Sequence, residues 1–248
     1  MKPRPSGVRL AQARVTSLVA VVCALLAGAS PVLAGEAGTS APADTLDQRL
    51  VACSACHGKQ GEGLRANEYY PRIAGKPARY LFNQLANFRD GHRTYAQMVY
   101  LVSYLSDDYL MEIANHYSKL QPGYPTPIAP AVAGTALSRG EILVKQGDSA
   151  KGIPACSACH GRALTGMQPA IPGLLGLYPD YLNAQLGAWQ TGARHAAAPD
   201  CMATIAAKLS GADMAAVSAW LSAQPGTPGS LPAPDRRDRL PIPCGSEQ

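Results

Sequence analysis

The sequence predicts an all-α protein made of two tandem domains, and two observations carry this prediction. The run Cys-Ser-Ala-Cys-His-Gly at 53–58 recurs unchanged at 156–161, 103 residues later. Each copy is followed by the same helical pattern, Tyr-Leu-x-x-Gln-Leu, at 80–85 and again at 181–186. A chain of 248 residues has room for two such units of roughly 80 to 100 residues each.

The duplication and the composition set the predicted domain boundaries. The first domain covers 44–120 and the second covers 138–224. Between them, residues 121–137 begin Gln-Pro-Gly-Tyr-Pro-Thr-Pro and continue rich in Ala, Pro and Gly, which predicts a semi-extended linker. A Pro-rich tail, 225–248, ends the chain without secondary-structure signals.

Residues 1–34 have the pattern of an export signal. Four basic residues and no acidic one occur in this segment, an apolar run extends from Val15 to Ala29, and small residues precede Gly35. The apolar run is short for a membrane span, so we expect a cleaved signal peptide, with an uncleaved anchor as the alternative. Residues 35–43 are rich in small residues and are expected to be flexible. Export places the mature chain in the periplasm.

The predicted mature chain has almost no net charge, although the full sequence carries +5 at pH 7. Without the four basic residues of the signal, 18 basic and 17 acidic side chains remain. A protein with so little net positive charge has no basic surface to attract nucleic acid, so we do not expect nucleic acid as a partner.

Each domain is predicted to contain three helices. In the first domain they begin near residues 44–45, after Pro77 and near Ser106, and a loop joins the last two. In the second domain, the capping-box letters at 138–141 predict the start of the leading helix, and a final helix is predicted over 211–223.

Two thiols three residues apart, followed at once by a histidine, are the signature of covalent c-type haem attachment. Each thiol adds to one vinyl group of the porphyrin, and the adjacent imidazole becomes the proximal iron ligand. Zinc sites or redox dithiols are the alternatives, but zinc sites pair two cysteine knuckles in one small unit, and these copies are far apart. The sequence therefore predicts two covalently attached haem c groups. Their attachment and proximal residues are Cys53, Cys56 and His57 in the first domain and Cys156, Cys159 and His160 in the second.

Met98 and Met202 are the predicted distal ligands of the two irons. Met98 lies 41 residues after the histidine of the first motif, and Met202 lies 42 residues after that of the second. Both are followed seven and eight residues later by Leu-Ser, so the two methionines occupy the same frame.

The other candidate ligands do not share this frame. Met111 and Met214 fall inside predicted helices, and Met167 is only seven residues from its histidine. His92 and His195 lie in the same loops as Met98 and Met202 and are the alternative ligands. The basic side chains of these loops are otherwise expected to face solvent.

Each proximal imidazole needs an acceptor for its second N–H, and the carbonyl groups of Pro71 and Pro169, in two Pro-x-Ile-x-Gly segments, are the candidates. Ligation by His and Met favours ferrous iron and leaves no open coordination position. We therefore expect haems that pass single electrons and bind no small-molecule substrate, in a protein that is not an enzyme.

Cys201 and Cys244 remain in the mature chain after haem attachment. An even pair of cysteines in an oxidising compartment suggests a disulfide, which would hold the tail beside the Met202 loop. Two unpaired or intermolecular thiols are the alternative.

On these residues the chain resembles the dihaem cytochrome c4 family of class I c-type cytochromes. The resemblance covers about 45–224 and rests on the paired haem motifs, the Pro-x-Ile-x-Gly segments, the Tyr-Leu-x-x-Gln-Leu helices and the Met-then-Leu-Ser frames. It implies two tandem class I cytochrome c domains, each wrapped round a covalent haem and related by pseudo-twofold symmetry. It also implies redox protein partners: a terminal oxidase, a cytochrome bc1-type complex or a dehydrogenase. A peripheral association with the membrane is compatible with this role.

The sequence is compatible with three functions. The first is a soluble periplasmic carrier between respiratory or dehydrogenase partners and a terminal acceptor. The second is a dihaem subunit of a dehydrogenase complex, resembling that of sulfide-oxidising flavocytochrome c. The third, a dihaem peroxidase, needs an accessible or displaceable ligand, and two matched methionines argue against it.

Overall fold

The computed structural model describes residues 45–64, 69–234 and 240–247, so the predicted signal peptide, 1–34, and flexible segment, 35–43, lie outside the described residues. The helices, in chain order, are α1 (Leu46–Arg49), α2 (Val51–His57), α3 (Ala78–Arg89), α4 (Ala96–Val102), α5 (Asp107–Lys119), α6 (Thr135–Lys145), α7 (Cys156–His160), α8 (Pro179–Thr191), α9 (Cys201–Ala206) and α10 (Gly211–Ser222). Short 3₁₀ turns occur at Ser149–Lys151 and Gly245–Glu247. No helix in the described ranges is long and apolar enough to cross a membrane.

The helices α1 to α5 form the first half of the protein, and α6 to α10 form the second half. The first half is built on the packing of α3 against α5. The α3 helix begins after Pro77, and α5 begins after Ser106, whose hydroxyl accepts a hydrogen bond from the backbone N–H of Tyr109. The α1 helix begins after Thr45, which forms a capping box with Gln48. All three starts agree with the sequence prediction. The buried apolar residues of this half are Leu50, Leu81, Phe88, Val102, Leu110, Ile113, Ala114 and Tyr117.

The leading helix of the second half begins earlier than predicted. The α6 helix starts at Thr135, directly after Gly134, so Ser138 lies one turn inside it. The capping-box prediction was wrong because Ala136 and Leu137 are strong helix formers and extend the helix towards its N-terminus.

The α6 helix packs closely on α10. A Cβ atom added to Gly140 of α6 would come within 2.2 Å of the carbonyl oxygen of Ala216 in α10, so only glycine allows this approach. The α10 helix starts after Ser210, which forms a capping box with Asp213. The buried apolar residues of this half include Leu143, Val144, Leu175, Tyr181, Leu182, Leu186, Val217, Trp220 and Leu221.

Two segments that were predicted as loops are helical. Met98 lies within α4 and Met202 within α9, whose first turn is capped by the carboxylate of Asp200. Between α7 and α8 the chain forms a small antiparallel pair of strands, β1 (Gly166–Met167) and β2 (Ile171–Pro172). The fold remains all-α in class.

The two halves meet through a short antiparallel backbone contact. An isolated bridge pairs Arg93 with Arg194, and the N–H of His195 donates to the carbonyl oxygen of His92 at 2.6 Å. The offset of 101 residues that relates the two arginines also relates the Tyr-Leu-x-x-Gln-Leu helices. Equivalent positions of the two halves therefore pair with each other, as pseudo-twofold symmetry requires.

The linker and the described part of the tail both pack on the helical halves. Arg72 donates to the carbonyl oxygens of residues 122–123, and its guanidinium lies 4.6 Å from the ring centre of Tyr124. The tail, which was expected to carry no structure, pairs Ala233 with β1 through a hydrogen bond to Gly166. The division into domains at 44–120 and 138–224 stays a prediction, and the buried apolar clusters of the two halves share no residue.

Candidate haem sites

The first site lies between α2 and the segment that precedes α3. The α2 helix brings Cys53, Cys56 and His57 to the wall of one cavity. His57 is 7 % exposed, and its Nδ1 lies 2.9 Å from the carbonyl oxygen of Pro71, the acceptor expected from the sequence. An imidazole held in this way donates its Nδ1–H and keeps Nε2 available for a metal.

The second site repeats this arrangement with one correction. The α7 helix brings Cys156, Cys159 and His160 to a second cavity. The Nδ1 of His160 lies 2.8 Å from the carbonyl oxygen of Pro172, and the predicted acceptor, Pro169, is wrong.

The reason for this correction is the frame of the repeat. Pro169-Ala-Ile-Pro-Gly matches the letters of the first Pro-x-Ile-x-Gly segment, but an offset of 101 residues pairs Pro71 with Pro172 and Gly75 with Gly176. Both of these glycines have positive φ, 72° and 71°. The Tyr-Leu-x-x-Gln-Leu helices have the same offset of 101 residues. Applied to Pro71, this offset would have identified Pro172 as the acceptor from the sequence alone.

Burial controls the protonation of these side chains. It lowers the pKa of both His57 and His160, and the hydrogen bonds to the proline carbonyls oppose this shift only in part. Neutral imidazole is the form that binds a metal. Burial also raises the pKa of the Cys156 thiol to about 11, so this sulfur stays protonated near neutral pH until it forms a thioether.

Met98 lines the first cavity and Met202 lines the second. Within the described ranges, Met111, Met167 and Met214 line neither of these two cavities. The apolar walls include Ile73, Leu81, Val102 and Ile113 in the first cavity and Ile171, Leu182, Leu186 and Val217 in the second.

The two alternative histidines differ in position. His92 is exposed and lines neither cavity, whereas His195 is exposed but contributes to the lining of the second. The neighbouring Arg194 contradicts the expectation that basic side chains of these loops face solvent, because it is only 4 % exposed.

The tail closes part of the second cavity. Cys201 and Cys244 form a disulfide, which ties the tail to α9 beside Met202. Leu240 and Ile242 of the tail line the same cavity. The first cavity has no tail residue in its described lining.

The residues of each cavity fit a covalently attached haem. Each combines two thiols, an imidazole whose Nδ1 is bound to a carbonyl, a thioether and apolar walls. These are the donors and the surface that a haem with His and Met axial ligands requires.

Comparison with known proteins gives the same result. No protein-family model matches the chain. Cytochrome c4 from Pseudomonas aeruginosa is 34% identical over 193 residues, which covers 76% of this chain and 92% of the relative. The chain belongs to the cytochrome c4 family. A protein of Thiomonas intermedia named thiosulfate dehydrogenase electron acceptor is 42% identical over 179 residues, covering 72% of this chain and 81% of the relative.

Solved structures share the cytochrome c4 fold. The reduced recombinant cytochrome c4 from Pseudomonas stutzeri superposes with a TM-score of 0.62 at 28% identity, covering 71% of this chain and 95% of that one. The thiosulfate dehydrogenase TsdBA from Marichromatium purpuratum also gives 0.62, at 31% identity, with 70% of this chain and 36% of that chain covered. This chain is thus an all-α dihaem c-type cytochrome that transfers electrons and is not an enzyme.

Sequence reasoning missed the residues that line both cavities at once. They belong to the junction of the two halves: Lys76, Tyr80, Gln84, Tyr181, Gln185 and Arg194. The repeated offset of 101 residues for the tyrosines and glutamines was the available signal, but nothing in the letters showed that these side chains cross between the halves.

Proposed function

We propose that this chain is a periplasmic carrier that takes single electrons from a thiosulfate-oxidising dehydrogenase and passes them to a terminal acceptor. The observation that carries this proposal is the 42% identity with the Thiomonas protein named thiosulfate dehydrogenase electron acceptor. The likeness to TsdBA, of which the chain spans about a third, supports the same class of donor.

The proposed axial ligands are His57 with Met98 and His160 with Met202. When bound, haem c supplies a one-electron iron couple, and the protein sets its potential and its access to solvent. The proline carbonyls orient the imidazoles, the methionine sulfurs favour the ferrous state, and the apolar walls keep water away. With His57 and Met98 holding one iron, and His160 and Met202 the other, neither iron would keep a position for a reacting molecule.

Rapid mixing of the oxidised holoprotein with a purified thiosulfate dehydrogenase and thiosulfate tests the donor. We expect both haems to be reduced in a saturable reaction that requires the enzyme and thiosulfate together. A monohaem cytochrome c from an unrelated respiratory chain serves as the control for non-specific reduction. A rate no higher than that control would contradict the proposal.

A dihaem subunit of a larger dehydrogenase complex is the second candidate, because TsdBA contains a region similar to this chain within a longer one. Size-exclusion chromatography of a native extract, followed by haem staining, distinguishes the two. Elution near the mass of the free chain supports a carrier, and stable co-elution with a flavoprotein or dehydrogenase supports a subunit.

A further inference from the structure

The junction between the halves contains two arginines in equivalent surroundings. Arg93 donates to Gln84 of its own half at 3.1 Å and to Tyr181 and Gln185 of the other half at 3.1 and 2.6 Å. Arg194 repeats this pattern by pseudo-twofold symmetry. Its bonds are to Gln185 at 2.8 Å, Gln84 at 2.7 Å and Tyr80 at 3.5 Å.

Aromatic rings hold the two guanidinium groups in place. Arg93 lies 4.5 Å from the ring centre of Phe88, and Arg194 lies 3.8 Å from that of Trp189. Phe88 and Trp189 are themselves related by the offset of 101 residues. The arrangement is therefore a built one, repeated in both halves, and not a chance contact of flexible side chains.

Among the described residues, these cations have no anionic partner. Across residues 45–64, 69–234 and 240–247, no carboxylate forms an ion pair with Arg93 or Arg194. Their acceptors are neutral amide and phenol oxygens. Burial lowers the pKa of Arg194, and the charge of Arg93 lowers it further. Arg194 is buried and Arg93 is half-buried. Buried charges are ordinarily paired, so a buried arginine beside a second arginine, without an anion, indicates a missing anionic group.

A buried lysine reaches the same place from one half only. The Nζ of Lys76 donates to the carbonyl oxygen of Gly173 at 2.8 Å, and the side chain lines both cavities. Burial and the charge of Arg72 lower the pKa of Lys76 to about 7, so this side chain is only partly charged near neutral pH. The equivalent residue of the second half is Leu177, so pseudo-twofold symmetry does not repeat this basic group.

The position of these groups identifies the anion. Arg93 lines the first cavity, and Arg194 lines both. A haem carries two propionate carboxylates. Each guanidinium keeps N–H donors that its bonds to glutamine and tyrosine do not use, and these can form charge-assisted hydrogen bonds with a carboxylate. We propose that Arg93 and Arg194 bind propionates of the two haems at the junction and so position the haems for electron exchange with each other. This proposal does not depend on which dehydrogenase supplies the electrons.

Variants of the two arginines in the holoprotein test the proposal. Arg93→Gln and Arg194→Gln remove the charge, and Arg93→Lys and Arg194→Lys keep it without the planar guanidinium. Arg79→Gln removes an exposed arginine of α3 that lines neither cavity. The readouts are the propionate bending bands in the resonance Raman spectrum, the two reduction potentials and the rate of electron exchange between the haems.

We expect the Gln variants to shift a propionate band, to lower the potential of at least one haem and to slow exchange between the haems several-fold. Loss of a nearby positive charge favours ferric iron, which sets the direction of the potential change. The Lys variants should retain most of the potential but still shift the propionate band, and Arg79→Gln should change neither.

Unchanged propionate bands and potentials in both Gln variants, even with lower stability, would overturn the proposal and make the arginines a purely structural contact. If a Gln variant does not retain haem, the Lys variants decide. A propionate band identical to wild type in both Lys variants would then overturn it equally.

Discussion

Each cavity contains one methionine sulfur, and the redox chemistry depends on whether that sulfur binds the iron. Leucine replaces Met98 or Met202 with little change in volume. We expect each single Met→Leu variant to lose about half of the sulfur-to-iron charge-transfer absorption of the ferric protein, because one of two haems loses its thioether, and to lower one reduction potential. Spectroelectrochemical titration measures both quantities.

Met214→Leu is the matched control, since this residue packs in the core of the second half away from the cavity lining. It should retain the full absorption band. Full retention in Met202→Leu would show that another group binds the second iron, and His195, which lines the same cavity, is the candidate.

Asp213 predicts a specific dependence of stability on pH. Burial alone would raise the pKa of its carboxyl, but hydrogen bonds from Lys151, Arg139 and Ser210 together hold it well below its usual range. A depressed pKa in the folded state contributes stability above the unfolded pKa of about 4, and this contribution is lost as the pH falls further. We expect Asp213→Asn to lower the free energy of unfolding by about 2–4 kcal/mol at pH 7.

Guanidinium unfolding at pH 7 and at acidic pH measures this effect. The difference between wild type and Asp213→Asn should shrink below about pH 4. Asp107→Asn is the control, because its side chain is 68% exposed in its pair with Arg89 and should cost less than about 1 kcal/mol. A pH-independent difference for Asp213→Asn would contradict the assignment.

Among the helices, the close packing of α6 on α10 depends on a single glycine. Gly140→Ala would place a methyl group against the carbonyl of Ala216, so the helices must separate. We expect a loss of about 1–3 kcal/mol in the free energy of unfolding. Thermal or guanidinium unfolding followed by circular dichroism measures it.

Gly187 of α8 provides the opposite case. Nothing lies within 4 Å of a Cβ atom added there, so Gly187→Ala should stabilise the protein by about 0.5–1 kcal/mol through helix propensity. Equal effects of the two substitutions would show that helix propensity, and not packing, determines the result at Gly140.

Helices were predictable from the sequence where a cap or a proline marked their start, as at Pro77, Ser106 and Ser210. The start of α6 was not predictable in this way. The helix-forming residues before Ser138 extend the helix, although the sequence at 138–141 matches a capping box. The proximal histidines follow from the haem motif itself. The roles of Pro172 and of the junction arginines depend on contacts between segments that are distant in the sequence. Local sequence patterns do not contain this information.

For the whole molecule, the disulfide between Cys201 and Cys244 fixes the tail over the second cavity. The cysteines are 43 residues apart, so replacing both by serine should lower the free energy of unfolding by about 2–4 kcal/mol. Because Leu240 and Ile242 line only the second cavity, we expect the spectrum of one haem to change and that of the other to stay constant.

Unfolding curves and haem absorption of the double Ser variant measure these effects. Wild-type protein treated with a thiol reductant should show the same loss in the free energy of unfolding. Identical changes in both haems would show that the tail acts on the whole molecule and does not cover one site.

The basic side chains of the junction also affect how this protein is made. Burying Arg194 and Lys76 beside the half-buried Arg93 is costly while no anion accompanies them. The required anions arrive only with the cofactors, so a nascent chain that has not yet received them gains little by closing its two halves. We expect ligation of both porphyrins to come first and closure to come last. A half-loaded intermediate would then remain open and would be the form most readily cleared by proteases.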